Sequence, residues 1–379
     1  MTGTWAEVDL GAIEHNFKVL KKLLAPNVKA LAVCKANAYG HGIIEIAKRL
    51  EQCGADMLAV ARVSEGVEMR ENNIKMPVLC LGEAEPDLAE LIANNNITQA
   101  VGSLDLARKL SQAALRLNKV IKVHVKLDTG MSRIGFYIPD DEDNKLKIVN
   151  EILELKKLKG LEVKGMFSHF ANAEGDENYT QMQLDKFNSV KDLLISGGLE
   201  LETCHIAASD ALILRSNTHL DMVRMGIALY GYKSCVTGNI NSELDLRPAM
   251  KLKSRIAAVR RLPKGVKIGY GCTHELTRDS VIAVLQTGYA DGLPRILSNN
   301  YCVKINNIKC KILGRICMDM CMADITDLVN NNNINVEVGD EAVIYDGDLT
   351  VDAAKNAGTV IHEILCLCSS PRIKHVYFN

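Results

Sequence analysis

Residues 29–42 read KALAVCKANAYGHG. The unbroken apolar run that ends at Cys34 is too short for a buried helix. Its length and its Val suit a strand buried on both faces, as in a parallel sheet. The run stops at Lys35, and Gly40 and Gly42 follow closely. The same texture recurs at 57–61, 77–81, 98–101, 121–126, 163–167, 203–206 and 222–227. Between most of these runs lie stretches with apolar residues at helical spacing, such as 42–52, 104–117 and 181–196. An open doubly wound sheet usually has fewer strands and a glycine-rich first turn, whereas the first of these runs ends in a lysine. Eight strands alternating with helices predict a (β/α)8 TIM-type barrel.

From about residue 234 the texture changes. Short β-like runs at 281–286, 302–305, 309–313 and 341–344 are separated by Gly, Asn and Asp turns, which predicts a mostly β domain. The Asn-rich stretch 330–333 reads as an exposed loop, and a last helix is expected over 350–358 with Asp352 near its start. The expected division is therefore a barrel over 1–233 and a mostly β domain over 234–379.

Composition excludes several classes. The net charge is −1 and the aromatic content 4%, with basic residues scattered, so nothing favours a nucleic-acid partner. No apolar run approaches the roughly 18 residues that span a bilayer, so no membrane segment is expected in this chain. Twelve cysteines in a long chain do not make a secreted disulfide scaffold. Cys317/Cys321 and Cys366/Cys368 lack paired zinc-ligand spacing and read as small apolar residues, so no metal is expected. Reduced thiols point to the cytoplasm, or to the soluble part of a membrane-anchored protein from which an upstream segment is missing.

In a barrel, chemistry gathers where strands end. Those ends carry Lys35, then Lys126 through Arg133, then His169, then His205 and Ser209, then Arg224, Gly226 and Ile227. Lys35 leaves its strand toward the barrel axis, where loss of water favours a neutral amine able to form an imine. A lysine reaching to solvent is the plainer reading of that residue alone. Ser209 offers a hydroxyl, and the backbone at Gly226-Ile227 can approach a phosphate closely. Arg224 can meet a pyridine nitrogen. His205 reads as a core or supporting histidine.

The run VCKANAYGHG at 33–42 resembles the cofactor-lysine motif of the alanine racemase family. The likeness continues with DTGMSRIG at 128–135, SHFANAE at 168–174, MVRMGIALYG at 222–231, GYG at 269–271, TGYADGLPR at 287–295 and GRICMDM at 314–320. These motifs lie in family order over nearly the whole chain. The resemblance implies a pyridoxal 5'-phosphate (PLP) racemase of a small amino acid. Lys35 would carry PLP as a Schiff base and act as one catalytic base. Tyr270 would be the second, reaching the partner's site in a homodimer with shared active sites. Tyr39, Ser209, Gly226 and Ile227 would bind the cofactor phosphate, and Arg224 its ring nitrogen. Arg133 would contact the cofactor's phenolic oxygen and the substrate carboxylate. Met318 would also serve substrate, His169 would link Tyr270 to Arg224, and Lys126 would be open to carbamylation.

Two departures stand out. Ala208 occupies a position where the family usually has Asn, and Ser370 is read as replacing a family Tyr that lines the substrate pocket. A smaller hydroxylated residue leaves room for a side chain beyond methyl, which resembles serine racemases of the vancomycin-resistance type. The expected substrates are alanine, serine or both, with the D-enantiomer feeding cell-wall peptide synthesis. The competing classes are a non-catalytic PLP-binding homeostasis protein, a barrel-type PLP decarboxylase and a PLP-free scaffold. Tyr270 and GRICMDM argue against the first.

Overall fold

A computed structural model of the chain describes residues 3–233, 244–330 and 334–379. Contacts divide the chain into two compact units, each described below in its own terms.

The first strand, β1 (Thr4–Asp9), belongs to the later unit despite its place in the chain. The barrel unit runs over residues 16–38 and 43–229. Its strands are β2 (Lys29–Val33), β3 (Met57–Val60), β4 (Val78–Cys80), β5 (Ile97–Val101), β6 (Ile121–Asp128), the short β7 (Phe136–Tyr137), β8 (Leu161–Phe167), β9 (Thr203–His205) and β10 (Met222–Met225). Eight of them lie in the order β10-β2-β3-β4-β5-β6-β8-β9, all parallel, with β7 added at β6. Closure comes from backbone bonds between the ends of that order. The Asp221 N–H donates to Cys204 O and the Arg224 N–H to Ala207 O, both at 3.1 Å. This is the expected barrel. Leu31, Leu58, Val78, Ala100, Val123 and Val223 are all fully buried, as strands covered on both faces require.

The helices between strands follow the apolar spacing closely, for example Ile43–Gln52, Leu104–Arg116 and Glu177–Ser196. Ser103 and Asp176 start the last two by accepting the N–H groups of Leu106 and Tyr179.

The second unit comprises residues 1–15, 39–42 and 230–379. Its strands are β11 (Met250–Leu262), β12 (Lys267–Ile268), β13 (His274–Glu275), β14 (Ser280–Leu285), β15 (Cys302–Ile305), β16 (Ile308–Lys311), β17 (Cys321–Asp324), β18 (Glu341–Tyr345) and β19 (Lys374–Phe378). The main sheet runs β16-β15-β18-β11-β1-β19, with β14 joining β11 and β17. It is antiparallel except that β1 lies parallel to β19. The unit is mostly β, as expected.

Three local expectations change. The last expected helix is Gly347–Ala357, capped by Asp346, whose carboxylate accepts Leu349 N–H. Asp352 lies within it and pairs with Lys309 at 2.7 Å. A further helix, Ile361–Cys366, follows. Of the stretch expected as a loop, Asn330 ends the helix Thr326–Asn330, while 331–333 lie outside the described residues.

Candidate active site

Lys35 stands two residues past the end of β2, half-buried. The next four residues, Ala36, Asn37, Ala38 and Tyr39, have φ of 52°, 53°, 52° and 51°, a full turn of left-handed backbone built without glycine. Such a conformation costs about 1–2 kcal/mol per residue, so its surroundings must impose it. The Ala38 N–H closes the turn on Cys34 O at 2.8 Å. Glu65 accepts the Ala36 N–H at 2.6 Å through one oxygen, and the N–H groups of Ala61 and Arg62 through the other. Asn37 accepts Ile43 N–H at 2.8 Å, tying the turn to the following helix.

At the end of β6 a single carboxylate shapes the loop. Asp128 accepts the N–H groups of Gly130, Met131 and Ser132 on one oxygen and of Arg133 on the other, at 2.9–3.1 Å. Burial works to raise its pKa, but those backbone donors and the charge of Lys126 hold it below the usual range. Arg133 is thereby fixed at its backbone while its side chain stays exposed. Lys126 is buried, donates to Leu127 O at 2.6 Å and lies 5.4 Å from the Phe167 ring centre. Burial, then the neighbouring Arg224, lowers it to about 7. A large share of this amine is therefore neutral at physiological pH.

Arg224 is the hub. Its guanidinium is 3% exposed and donates to five acceptors: Nδ1 and O of His205, O of Ser168, O of Ile206, and Nδ1 of His169. Among the described residues its Nε–H has no acceptor. Phe167 lies flat against His205 at 5.0 Å and faces the guanidinium at 5.6 Å. Burial and then Arg133 lower Arg224 to about 9, so it stays charged near neutrality. Because an arginine can only donate, Nδ1 of both His169 and His205 accepts, and each ring carries its hydrogen on Nε2. Burial first, then Arg224, holds both imidazoles far below their ordinary pKa, and so neutral.

Past β9 and β10 the buried Ser209 hydroxyl receives the N–H groups of Gly226 at 3.0 Å and Ala228 at 3.3 Å. Ile227 is buried in the same turn. A hydroxyl ringed by backbone N–H groups is a donor set of the kind that holds a phosphoryl group. The strand ends of the barrel unit thus bring together Lys35, Lys126, Arg133, His169, Ser209, Arg224, Gly226 and Ile227.

The remaining expected residues belong to the other unit. Tyr39 is buried, its ring 4.8 Å from that of Tyr230. Tyr270 lies in the connection between β12 and β13, flanked by Gly269 at φ 68° and Gly271 at φ 71°, and is 72% exposed. Ile268, Leu276, Ile282 and Leu313 pack as the apolar base of that hairpin. Met318 is 52% exposed. Its carbonyl accepts Ala290 N–H, and Gly288 is pressed so close to Cys317 and Met318 that a Cβ would lie 2.3 Å from both carbonyl oxygens. Ser370 donates to Ala290 O at 3.1 Å, and Arg372 joins Asp291 and Asp319 at 3.1 and 2.8 Å. The motifs at 287–295 and 314–320 and the tail are one interlocked piece.

Sequence reasoning passed over Glu65, Asp128, Phe167 and His124. The Asp in DTGMSR, followed by residues that need backbone acceptors in a tight loop, was a signal for Asp128. His124 sat in the alternating strand run 121–126 (IKVHVK) and offered none.

Family models match the chain over residues 8–234 (alanine racemase, N-terminal domain) and 249–377 (alanine racemase, C-terminal domain). An alanine racemase of Methanococcus maripaludis is 39% identical over 99% of this chain and 98% of its own length. The solved alanine racemase of Clostridium difficile is 39% identical, with a TM-score of 0.92, over 100% of this chain and 96% of that one. That of Bartonella henselae, solved with covalently bound pyridoxal phosphate, is 28% identical with a TM-score of 0.86 over 100% of both chains.

Proposed function

The chain belongs to the alanine racemase family, and from that premise we propose that it is a PLP-dependent racemase interconverting the L- and D-enantiomers of a small amino acid. Alanine is the first substrate and serine the second, and the D-amino acid feeds cell-wall peptide synthesis. The observation that carries the reading is Arg224, a buried guanidinium with its Nε–H left over beside a lysine at the barrel rim. An N–H without an acceptor suits a ring nitrogen lone pair, and the donors around Ser209 suit a phosphate. PLP fits this set.

In this reading Lys35 holds the cofactor, Arg224 meets its ring nitrogen, and Ser209, Gly226, Ile227 and Tyr39 take its phosphate. When bound, PLP supplies the electron sink that accepts the pair left on Cα as its proton departs. The chain's own task is to move that proton. Lys35 Nζ takes or returns it on one face of Cα, and Tyr270 Oη of the partner subunit does so on the other. A proton removed on one face and delivered on the opposite face inverts the centre. Arg133 and Met318 orient the substrate carboxylate, and His169 links Tyr270 to Arg224. What supports a shared homodimeric site is that Tyr270 and Met318 stand exposed on their own unit. Lys126, neutral in good part at physiological pH, is suited to carbamylation beside Arg133.

The test is to incubate the purified, PLP-loaded protein with L-alanine and with L-serine and to resolve the products on a chiral column. We expect D-product from both and none from Lys35→Ala. A failure to racemise either would overturn the function. A serine kcat/KM more than about 200-fold below that for alanine, beyond the reach of one pocket substitution, would remove serine and the role given to Ser370.

A further inference from the structure

The end of the barrel opposite Lys35 is not plugged. A cavity of about 330 Å³ opens where the strands begin, at the lower end of the size range of small-molecule pockets. Lys29, Lys75, Lys122 and Lys164 line it, against Asp56 and Glu202. The two carboxylates are already engaged. Asp56 accepts the Ala30 N–H at 2.7 Å and pairs with Lys21 at 3.1 Å, while Glu202 pairs with Lys164 at 2.5 Å. Lys29, Lys75 and Lys122 have no side-chain partner among the described residues. Three ammonium groups from three separate strand starts therefore face one opening with no direct ion pair of their own, Glu202 acting on Lys29 and Lys122 only from a distance.

A second observation is independent of the lysines. His124, 1% exposed, also lines the cavity. Its Nδ1 lies 3.0 Å from Nε2 of His205. Arg224 fixes the His205 hydrogen on Nε2, so His205 donates to His124 Nδ1, and the His124 hydrogen must sit on Nε2. Among the described residues that N–H has no acceptor. Burial lowers His124 to about 4, so the ring is neutral and presents one N–H. Gly165 makes room for it, since a Cβ there would lie 2.8 Å from the ring and 2.4 Å from Thr203 O. A donor of fixed direction on a buried ring, open to the cavity beneath a rim of ammonium groups, is a built receptor for an acceptor with negative charge.

We propose that the N-terminal mouth of the barrel binds a small phosphate-bearing anion, held by Lys29, Lys75 and Lys122 at the rim and by the Nε2–H of His124 at the floor. Lysines contribute as point charges, a common means of holding phosphoryl oxygens. The occupant would end a directed chain of donors running from Arg224 through His205 and His124. The proposal does not depend on the reaction catalysed at the other rim.

Inorganic phosphate and glycerol 3-phosphate, titrated separately into the PLP-loaded protein in low-salt buffer by calorimetry, test it. Saturable binding is expected with at least one of them. The arm that binds tighter tells a free from an esterified phosphate. Affinity should fall at least tenfold in Lys29→Gln/Lys122→Gln, whose exposed side chains leave folding and basal racemisation unchanged. Imidazole ¹⁵N NMR should show the His124 Nε2–H resonance moving with occupancy. No saturable binding into the millimolar range, binding indifferent to the two lysines, or an unmoved His124 signal would each overturn the site.

Discussion

Arg224 and His205 are joined by a 2.8 Å hydrogen bond in which the guanidinium is necessarily the donor. One donor-only group thus dictates the proton position on two histidines directly, and on His124 through His205. The polar interior of this barrel is written in one direction.

Arg224→Lys breaks that arrangement. An ammonium has three N–H groups for the five acceptors that the guanidinium serves, so at least two buried acceptors lose their partners. At about 1–3 kcal/mol for each, the variant should lose about 2–6 kcal/mol of stability in urea unfolding. A loss under about 1 kcal/mol would show that the acceptors find other partners.

His124 makes the fold sensitive to acid. Its folded pKa of about 4 lies below the unfolded value of about 6.5, so the unfolded chain binds more protons between the two. The stability is complete above about pH 6.5 and is lost as pH falls toward 4. The amount is about 2–3 kcal/mol at pH near 4.5. In His124→Asn the slope of stability against pH should flatten by that amount. Parallel slopes in the two proteins would count against the neutral buried ring.

Lys126, lowered to about 7, should react with dissolved CO2 increasingly as pH rises through that value and the amine loses its proton. The Nζ lone pair attacks carbon, one C–O π pair moves to oxygen, and the nitrogen releases a proton to water. The resulting negative charge would be drawn to Arg133 and Arg224. In ¹³C-bicarbonate a carbamate resonance is expected in the wild type and not in Lys126→Gln. A spectrum without it, above neutral pH, rules the modification out.

Tyr270→Phe removes the hydroxyl while keeping the hairpin that bears it. Racemisation should drop by roughly 10²–10⁴-fold, with Lys35 still able to exchange the α-proton of one enantiomer with deuterated solvent. Exchange of both enantiomers at equal rates would contradict two bases on opposite faces.

The barrel was legible because its strands, buried on both faces, are apolar runs that stop near polar residues, as at Lys35 and His169, with Arg224 standing out inside the last of them. The mostly β texture of the second unit was legible from its turns. The strand β1 was not, since TWAEVD alternates modestly and pairs with Lys251, Lys253 and Lys374 from the far end of the chain. Nor was the left-handed turn, because Ala36, Asn37, Ala38 and Tyr39 carry no glycine to announce it. The turn is tied by Glu65, which receives the Ala36 N–H from a different helix, and by Cys34 O and Asn37. The helix start lies at Asp346, ahead of Asp352, because capping needs a carboxylate oxygen facing Leu349 N–H, a geometric condition that residue type alone does not set.

The seam between β1 and β19 orders events during synthesis. Trp5 lies beside Lys374 in the finished sheet, yet the ribosome makes one long before the other. At about 5–20 residues per second, the first strand waits roughly 20–75 s for that neighbour, while the barrel strands β2 to β10 are all made by residue 225. The barrel is free to form during translation. The sheet that carries β1 stays an unfinished edge until β19 is made, and that interval leaves it open to mispairing.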